Sequence, residues 1–173
     1  MIIYKDVFSD DELVSDNFKL QVVDKVLWEC DIKKVTKASD DIKLEGANPS
    51  AEDAEDNGDD ESAAEQIYDI VDQFRLQACA GFDKKSYMGA LKGYMKKVKA
   101  HLKEKGASED EIAQFEEDAK VAAKRILGNY KNYEVFIGES FDSDAMLVLI
   151  DYREDGMTPY ATFWKDGLKE YKV

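Results

Sequence analysis

One histidine and two cysteines set the first limit on the chemistry this chain can do. His101 stands alone on a lysine-rich stretch, so a triad with histidine as its base lacks a member, and so does a zinc site that needs two imidazoles. Its expected place is a solvated helix surface. Cys30 and Cys79 have no CxxC motif and no histidine companion, which reads as two reduced thiols on apolar strand faces, with a disulfide as the alternative. A reductase built on either thiol lacks a polarising neighbour in the sequence. Neither GxxxxGKS/T nor GxGxxG occurs, which removes the usual backbone cradles for nucleotide phosphates.

What the chain has in abundance is carboxylate and amine. Its 38 acidic and 24 basic residues give a formal charge of −14, which over the whole protein repels nucleic-acid phosphates and anionic lipid headgroups. Much of that deficit lies between Asp40 and Glu65, so the remainder is nearer balance and has room for a local basic face. Clustered carboxylates are hard oxygen ligands suited to calcium. Neither DNGDDE nor FDSDAM has the spacing of an EF-hand loop, and a flexible segment must be ordered before several oxygens converge on an ion. Calcium binding is therefore expected to be weak.

The elements that must position these groups follow from pattern. The 173 residues fit a single domain, 1–173, and 44% hydrophobic with 11% aromatic content excludes a wholly disordered chain. MIIY is a short apolar run, SDDELVSDN is turn-rich, and the alternation of VLWECDI suits a half-buried strand. EGANPSAEDAEDNGDDESAAEQ, from Glu45 to Gln66, contains no Lys, Arg, aromatic or large aliphatic residue, which predicts a flexible acidic loop over 38–66. It reads either as a solvated spacer or as a low-affinity site for cations or basic partners. As an internal loop it also competes with outside anions for nearby lysines. Ile67 to Cys79 reads as a strand from its β-branched and aromatic content.

At Phe82 the period changes. Tyr87, Leu91, Tyr94, Met95, Val98 and Leu102 recur at helical intervals, while Lys84, Lys85, Lys92, Lys96, Lys97, Lys99, Lys103 and Lys105 cover the other sides of the cylinder. Gly106 supplies a stop, and Ser108 with Glu111 forms a capping box that opens a second helix through Ile112, Phe115, Ala119, Ala122, Ala123, Ile126, Leu127 and Tyr130. The pair predicts an antiparallel helical hairpin inserted over 82–131. Beyond Gly128 the period returns to two, and VFIG, MLVLIDY and TPYATFW form a strand meander. The fold class is α+β, mainly antiparallel sheet, with one helical hairpin and one acidic loop. The N-terminus lacks the apolar run of a signal peptide and no window nears the roughly 18 apolar residues of a membrane span, so the expected place is the cytoplasm. The lysine face serves either solubility or contact with an acidic polymer surface. Tubulin tails and RNA both qualify electrostatically, but the negative net charge and the lack of interleaved exposed aromatics weigh against specific nucleic-acid binding.

Three segments carry a resemblance: IIYKDVFSDDELVSD at the start, EGANPSAEDAE in the acidic stretch, and KNYEVFIGESFDSDAMLVLIDYREDGMTPYATFWKDGL near the end. Together they resemble the translationally controlled tumour protein family over nearly the whole chain. The resemblance implies a β-tent fold, a twisted antiparallel core with a projecting helical hairpin and a long acidic loop. Relatives of that fold hold zinc through paired CxxC motifs, which this chain lacks, so zinc is not expected and no cofactor is required. It further implies a non-enzymatic, multivalent cytoplasmic protein, more often monomer than dimer, associated with growth and cell survival. Its implied partners are calcium, tubulin and microtubules, small GTPases and apoptosis regulators. Tubulin contact falls on Lys84, Lys85, Lys92, Lys96, Lys97, Lys99 and Lys103, GTPase contact on Glu12, and weak calcium ligation on Asn48 and Glu134. The alternative reading is a small-GTPase regulator, acting as exchange factor or dissociation inhibitor.

Overall fold

The computed structural model describes residues 1–36 and 66–173. In chain order these form β1 (Ile2–Asp6), β2 (Glu12–Ser15), β3 (Gln21–Val23), β4 (Leu27–Asp31), β5 (Lys34–Thr36) and β6 (Gln66–Tyr68). There follow α1 (Asp69–Phe74), β7 (Gln77–Ala78), α2 (Lys84–Glu104), α3 (Glu109–Gly128), β8 (Glu134–Ile137), β9 (Leu147–Tyr152), β10 (Pro159–Trp164) and β11 (Leu168–Lys172). The acidic stretch expected over 38–66 lies outside the described residues except for Gln66. Its flanks are held together, because Thr36 of β5 pairs with Gln66 of β6.

Six strands form one sheet in the order β3-β4-β10-β9-β8-β7, and β11-β1-β2 and β5-β6 form two smaller ones; every pairing is antiparallel. The meander expected from VFIG, MLVLIDY and TPYATFW is the β8-β9-β10 run at the centre of the large sheet. All six residues of β10 and the first four of β9 are buried, so side chains on both faces of these strands are withdrawn from water. Each large apolar side chain buried in this way contributes about 1.5–3 kcal/mol, which makes this pair the anchor of the core.

Two expectations about the strands are corrected. Ile67 to Cys79 is not one strand but β6, the short helix α1 and β7. Ile70, Val71 and Phe74 have the spacing of one helical face and all are buried, and burial of that face outweighs strand propensity. Arg75 ends the helix in the left-handed region at φ 56°, its N–H donating to the Val71 carbonyl. The turn-rich SDDELVSDN contains β2, with Leu13 and Val14 buried. Strand β11 carries no alternation to read, since KEYK is nearly all charged or exposed; it exists because β1 supplies a paired edge.

The hairpin forms as its sequence indicates. Asp83 caps α2 by accepting from Ser86 N at 2.8 Å. The Ser108 hydroxyl accepts from Glu111 N at 3.1 Å while the Glu111 carboxylate accepts from Ser108 N at 2.8 Å, the reciprocal box expected there. Gly106, at φ 93°, makes the turn between the helices. Tyr87, Leu91, Tyr94 and Val98 bury one face of α2, and Phe115, Ala119, Ala122 and Ile126 bury one face of α3.

Several contacts hold this hairpin to the body. Tyr94 packs against Gly167 so closely that a Cβ there would overlap its hydroxyl. The ring of Phe8 meets Tyr94 edge-on at 5.4 Å and His101 at 6.1 Å, so the imidazole is half-buried rather than solvated as expected. Arg125 of α3 pairs with Asp24 at 2.7 Å and lies 3.7 Å from Glu29, whose other oxygen accepts from Arg153 at 2.8 Å. Glu29 is only 5% exposed, and two guanidiniums offset the cost of burying its charge.

Candidate partner-binding face of the helical hairpin

A period of 3.6 residues places Lys85, Lys92, Lys96, Lys99 and Lys103 in one stripe along α2, opposite the face that Tyr87, Leu91, Tyr94 and Val98 bury. Lys85, Lys92, Lys96 and Lys103 are exposed, as is Lys84, which lies off the stripe. Among the described residues none of these five forms an ion pair. The remaining two candidate lysines are engaged by the scaffold. Lys99 pairs with Glu116 of α3 at 2.5 Å. Lys97 donates to the Asp144 carbonyl at 2.9 Å and sits 4.8 Å from the centroid of the Phe8 ring. Of the seven candidate lysines, four thus form the exposed stripe, with Lys84 beside it.

Next to the stripe runs a groove that the sequence reading did not anticipate. Between α2 and α3 it encloses about 750 Å³, with Met88, Leu91, Met95, Phe115, Ala119, Ala123 and Leu127 as its apolar floor and Lys92, Lys96, Lys99, Glu116 and Lys120 at its rim. A second depression of about 440 Å³ shares Lys96, Lys99 and Glu116 and continues to Lys103, Glu109 and Ile112. The signal was in the helical pattern itself: Met88, Ala123 and Leu127 extend the apolar stripe beyond what the sheet can cover.

Glu12 lies at the start of the edge strand β2, half-exposed, and its charge acts on Arg75, which pairs with Glu139 at 2.9 Å. Its neighbour Asp11 accepts from the Ser140 hydroxyl at 2.7 Å and from Ser140 N at 3.2 Å. Gly138 has no room for a Cβ against the Asp11 carboxylate. The FIGES and SDDE segments are therefore two halves of one clamp.

Of the expected calcium pair, Asn48 lies outside the described residues. Glu134 is exposed on β8, but its carboxylate accepts from the Tyr68 hydroxyl, which lies 3.3 Å from that of Tyr152. The Lys34 amine stands over both rings, 5.7 Å and 5.6 Å from their centroids. Burial and the Glu134 carboxylate raise the Tyr68 phenol, while the hydrogen bond from Lys34 lowers that of Tyr152. Among the described residues no three acidic, histidine or cysteine side chains are grouped to hold a metal. Both cysteines are free; burial pushes the Cys30 thiol up to about 12 and also raises Cys79. A thiol held so far above neutral pH is a poor nucleophile.

An antiparallel α+β body bearing a two-helix hairpin with a basic outer stripe is the class of molecule these observations define. Comparison with known proteins makes that class specific. The family profile described as translationally controlled tumour protein matches residues 1–169. A translationally-controlled tumor protein homolog of Aspergillus oryzae is 56% identical over 173 residues, covering 100% of both chains. A solved structure of the translationally controlled tumor-associated protein p23fyp from Schizosaccharomyces pombe superimposes with a TM-score of 0.80 at 50% identity, again over 100% of both chains. The structure of the Caenorhabditis elegans protein superimposes at 0.74 with 33% identity, covering 100% of this chain and 99% of that one. The chain belongs to the translationally controlled tumour protein family, whose members are not enzymes. Among the described residues no helix is long and apolar enough to cross a membrane.

Proposed function

We propose that this chain is a cytoplasmic binding protein whose hairpin docks on acidic protein surfaces, tubulin and microtubules foremost, in support of growth and cell survival. The observation that carries this reading is the stripe of Lys85, Lys92, Lys96 and Lys103, exposed and without an ion pair among the described residues. A row of unneutralised amines on a rigid helix attracts a chain of carboxylates at long range and holds it by many weak contacts. Apoptosis regulators with acidic faces are further candidates for the same stripe. Calcium binding through Asn48 and Glu134 is weak in this reading, because two donor residues fall short of the six to eight oxygens calcium takes and the Tyr68 hydroxyl already occupies one Glu134 oxygen. The protein acts as a monomer in this reading.

Cosedimentation with microtubules before and after proteolytic removal of the acidic tubulin tails tests it. Binding should be lost on removal of the tails and should fall as salt rises; binding that survives tail removal contradicts the reading.

A second reading, regulation of a small GTPase as exchange factor or dissociation inhibitor, is favoured by the position of Glu12, half-exposed at a sheet edge beside the Arg75–Glu139 pair. It expects the wild type to alter nucleotide release from a GTPase and Glu12→Val to lose that effect. Identical, uncatalysed rates for both proteins remove it.

A further inference from the structure

The lysine stripe explains attraction to acids, but it leaves the groove beside it without a use. Met88, Leu91 and Met95 from α2 and Phe115, Ala119 and Leu127 from α3 give that groove a floor no acidic tail needs. Gly89 and Gly93 form part of its α2 wall, and a Cβ at either position would meet nothing within 4 Å. A glycine inside a helix costs about 1 kcal/mol relative to alanine. Among the described residues nothing packs against these two positions, so packing within the chain does not require them to be bare. What bare backbone permits is the close approach of another backbone.

Dimensions and charge narrow the occupant. The two depressions together follow α2 from Met88 to Lys103, about 22 Å at the helical rise, the length of a helix of four turns; the Lys99–Glu116 pair bridges α2 and α3 where they meet and has to open for such a helix to seat along both. The α2 rim is lysine throughout, at Lys92, Lys96, Lys99 and Lys103, whereas the α3 rim is mixed, with Glu109, Glu116 and Lys120. A ligand complementary to this surface has an apolar stripe and one acidic flank.

We propose that the groove receives an acidic amphipathic helix of a partner protein as a third helix, its apolar stripe on the floor and its acidic flank under the α2 lysines. Gly89 and Gly93 let its backbone settle close to α2. This rests on the reading that the hairpin docks on acidic partners and goes further, because it requires helical order in the ligand. An extended acidic tail would use the lysines and leave the floor open.

The test uses the full chain and two synthetic 18-residue peptides of identical composition. In one, leucines recur at i, i+3, i+4 and i+7 with glutamates along one flank; in the other the same residues are scrambled. The patterned peptide should bind at least about tenfold tighter and should gain helical circular dichroism on binding. The Gly89→Ala/Gly93→Ala variant separates a docking role from a structural one. It should melt at a higher temperature than the wild type, since alanine is the better helix former, yet bind the patterned peptide about fivefold or more weakly because the added methyls hold the ligand off. Equal affinity for both peptides overturns the proposal, as does failure of both to bind, or unchanged patterned-peptide binding in the glycine variant. If both peptides bind equally and both are released when the lysines are reversed, helical docking fails while docking on acidic partners stands. Microtubule binding that survives removal of the acidic tubulin tails would instead remove the broader reading.

Discussion

Reversing Lys92, Lys96 and Lys103 to glutamate should abolish salt-sensitive binding to microtubules while leaving the fold intact. All three are exposed and, among the described residues, none is paired, so among those residues their replacement breaks no ion pair. Each reversal removes one attraction and adds one repulsion, together worth about 0.5–1 kcal/mol at an exposed site, so three of them should weaken binding roughly 10- to 150-fold at low salt. The matching control reverses Lys19, Lys131 and Lys172, which are also exposed but lie off the hairpin stripe and change the net charge equally. That control should bind nearly as the wild type does. Lys97→Glu should behave differently from both, because it breaks the bond to the Asp144 carbonyl and the contact over Phe8 and so loosens α2 from the body. Equal losses from the stripe and control triplets, measured by cosedimentation with a salt series, would mean that only total charge matters.

Gly167→Ala should destabilise the protein by about 3 kcal/mol, at the upper end for an overpacked core. The new Cβ would overlap the Tyr94 hydroxyl and stand 2.8 Å from the Met146 methyl, and both of those side chains are buried. Neither can swing aside, since Tyr94 is wedged edge-on against Phe8 and Met146 is 1% exposed. The Tyr94 hydroxyl itself is buried and has no hydrogen-bond partner among the described residues, so Tyr94→Phe alone should cost little or stabilise slightly. Combined with Gly167→Ala it should restore about half of the loss, a coupling that a double-mutant cycle in denaturant measures directly. A Gly167→Ala protein within about 0.5 kcal/mol of wild type would show that the hairpin is not pressed onto this turn.

Legibility in the sequence followed how local each determinant was. The hairpin could be read because its apolar period, the Ser108–Glu111 box and Gly106 lie within one another's reach along the chain. The β8-β9-β10 meander could be read for the same reason, with apolar runs separated by short turns. Ile67 to Cys79 misled because Ile70, Val71 and Phe74 satisfy a helical face inside a β-branched stretch, and the arbiter is the core they bury into. Strand β11 was invisible because its pairing partner β1 lies at the other end of the chain.

The candidate site divides in the same way. Which lysines share a face follows from spacing, so the stripe was legible. Which of them remain available depends on Glu116, Asp144 and Phe8 arriving from other elements, and no local pattern reports that. The Asp11–Ser140 clamp joins residues 129 positions apart, so the motifs that carry the family resemblance could be seen in sequence while the physical reason for them could not. The open space above Gly89 and Gly93 likewise follows from what packs around α2 and not from any local pattern.

The central claim, that the outward face of α2 is where acidic partners land, is tested most directly by mapping backbone amide shifts while titrating the full chain with a synthetic peptide copying an acidic tubulin tail. Saturable shifts should concentrate between Lys85 and Lys103, with the β8-β9-β10 strands unmoved. Shifts spread evenly over exposed lysines of the whole surface, or centred on the Glu12 edge of β2, would contradict it.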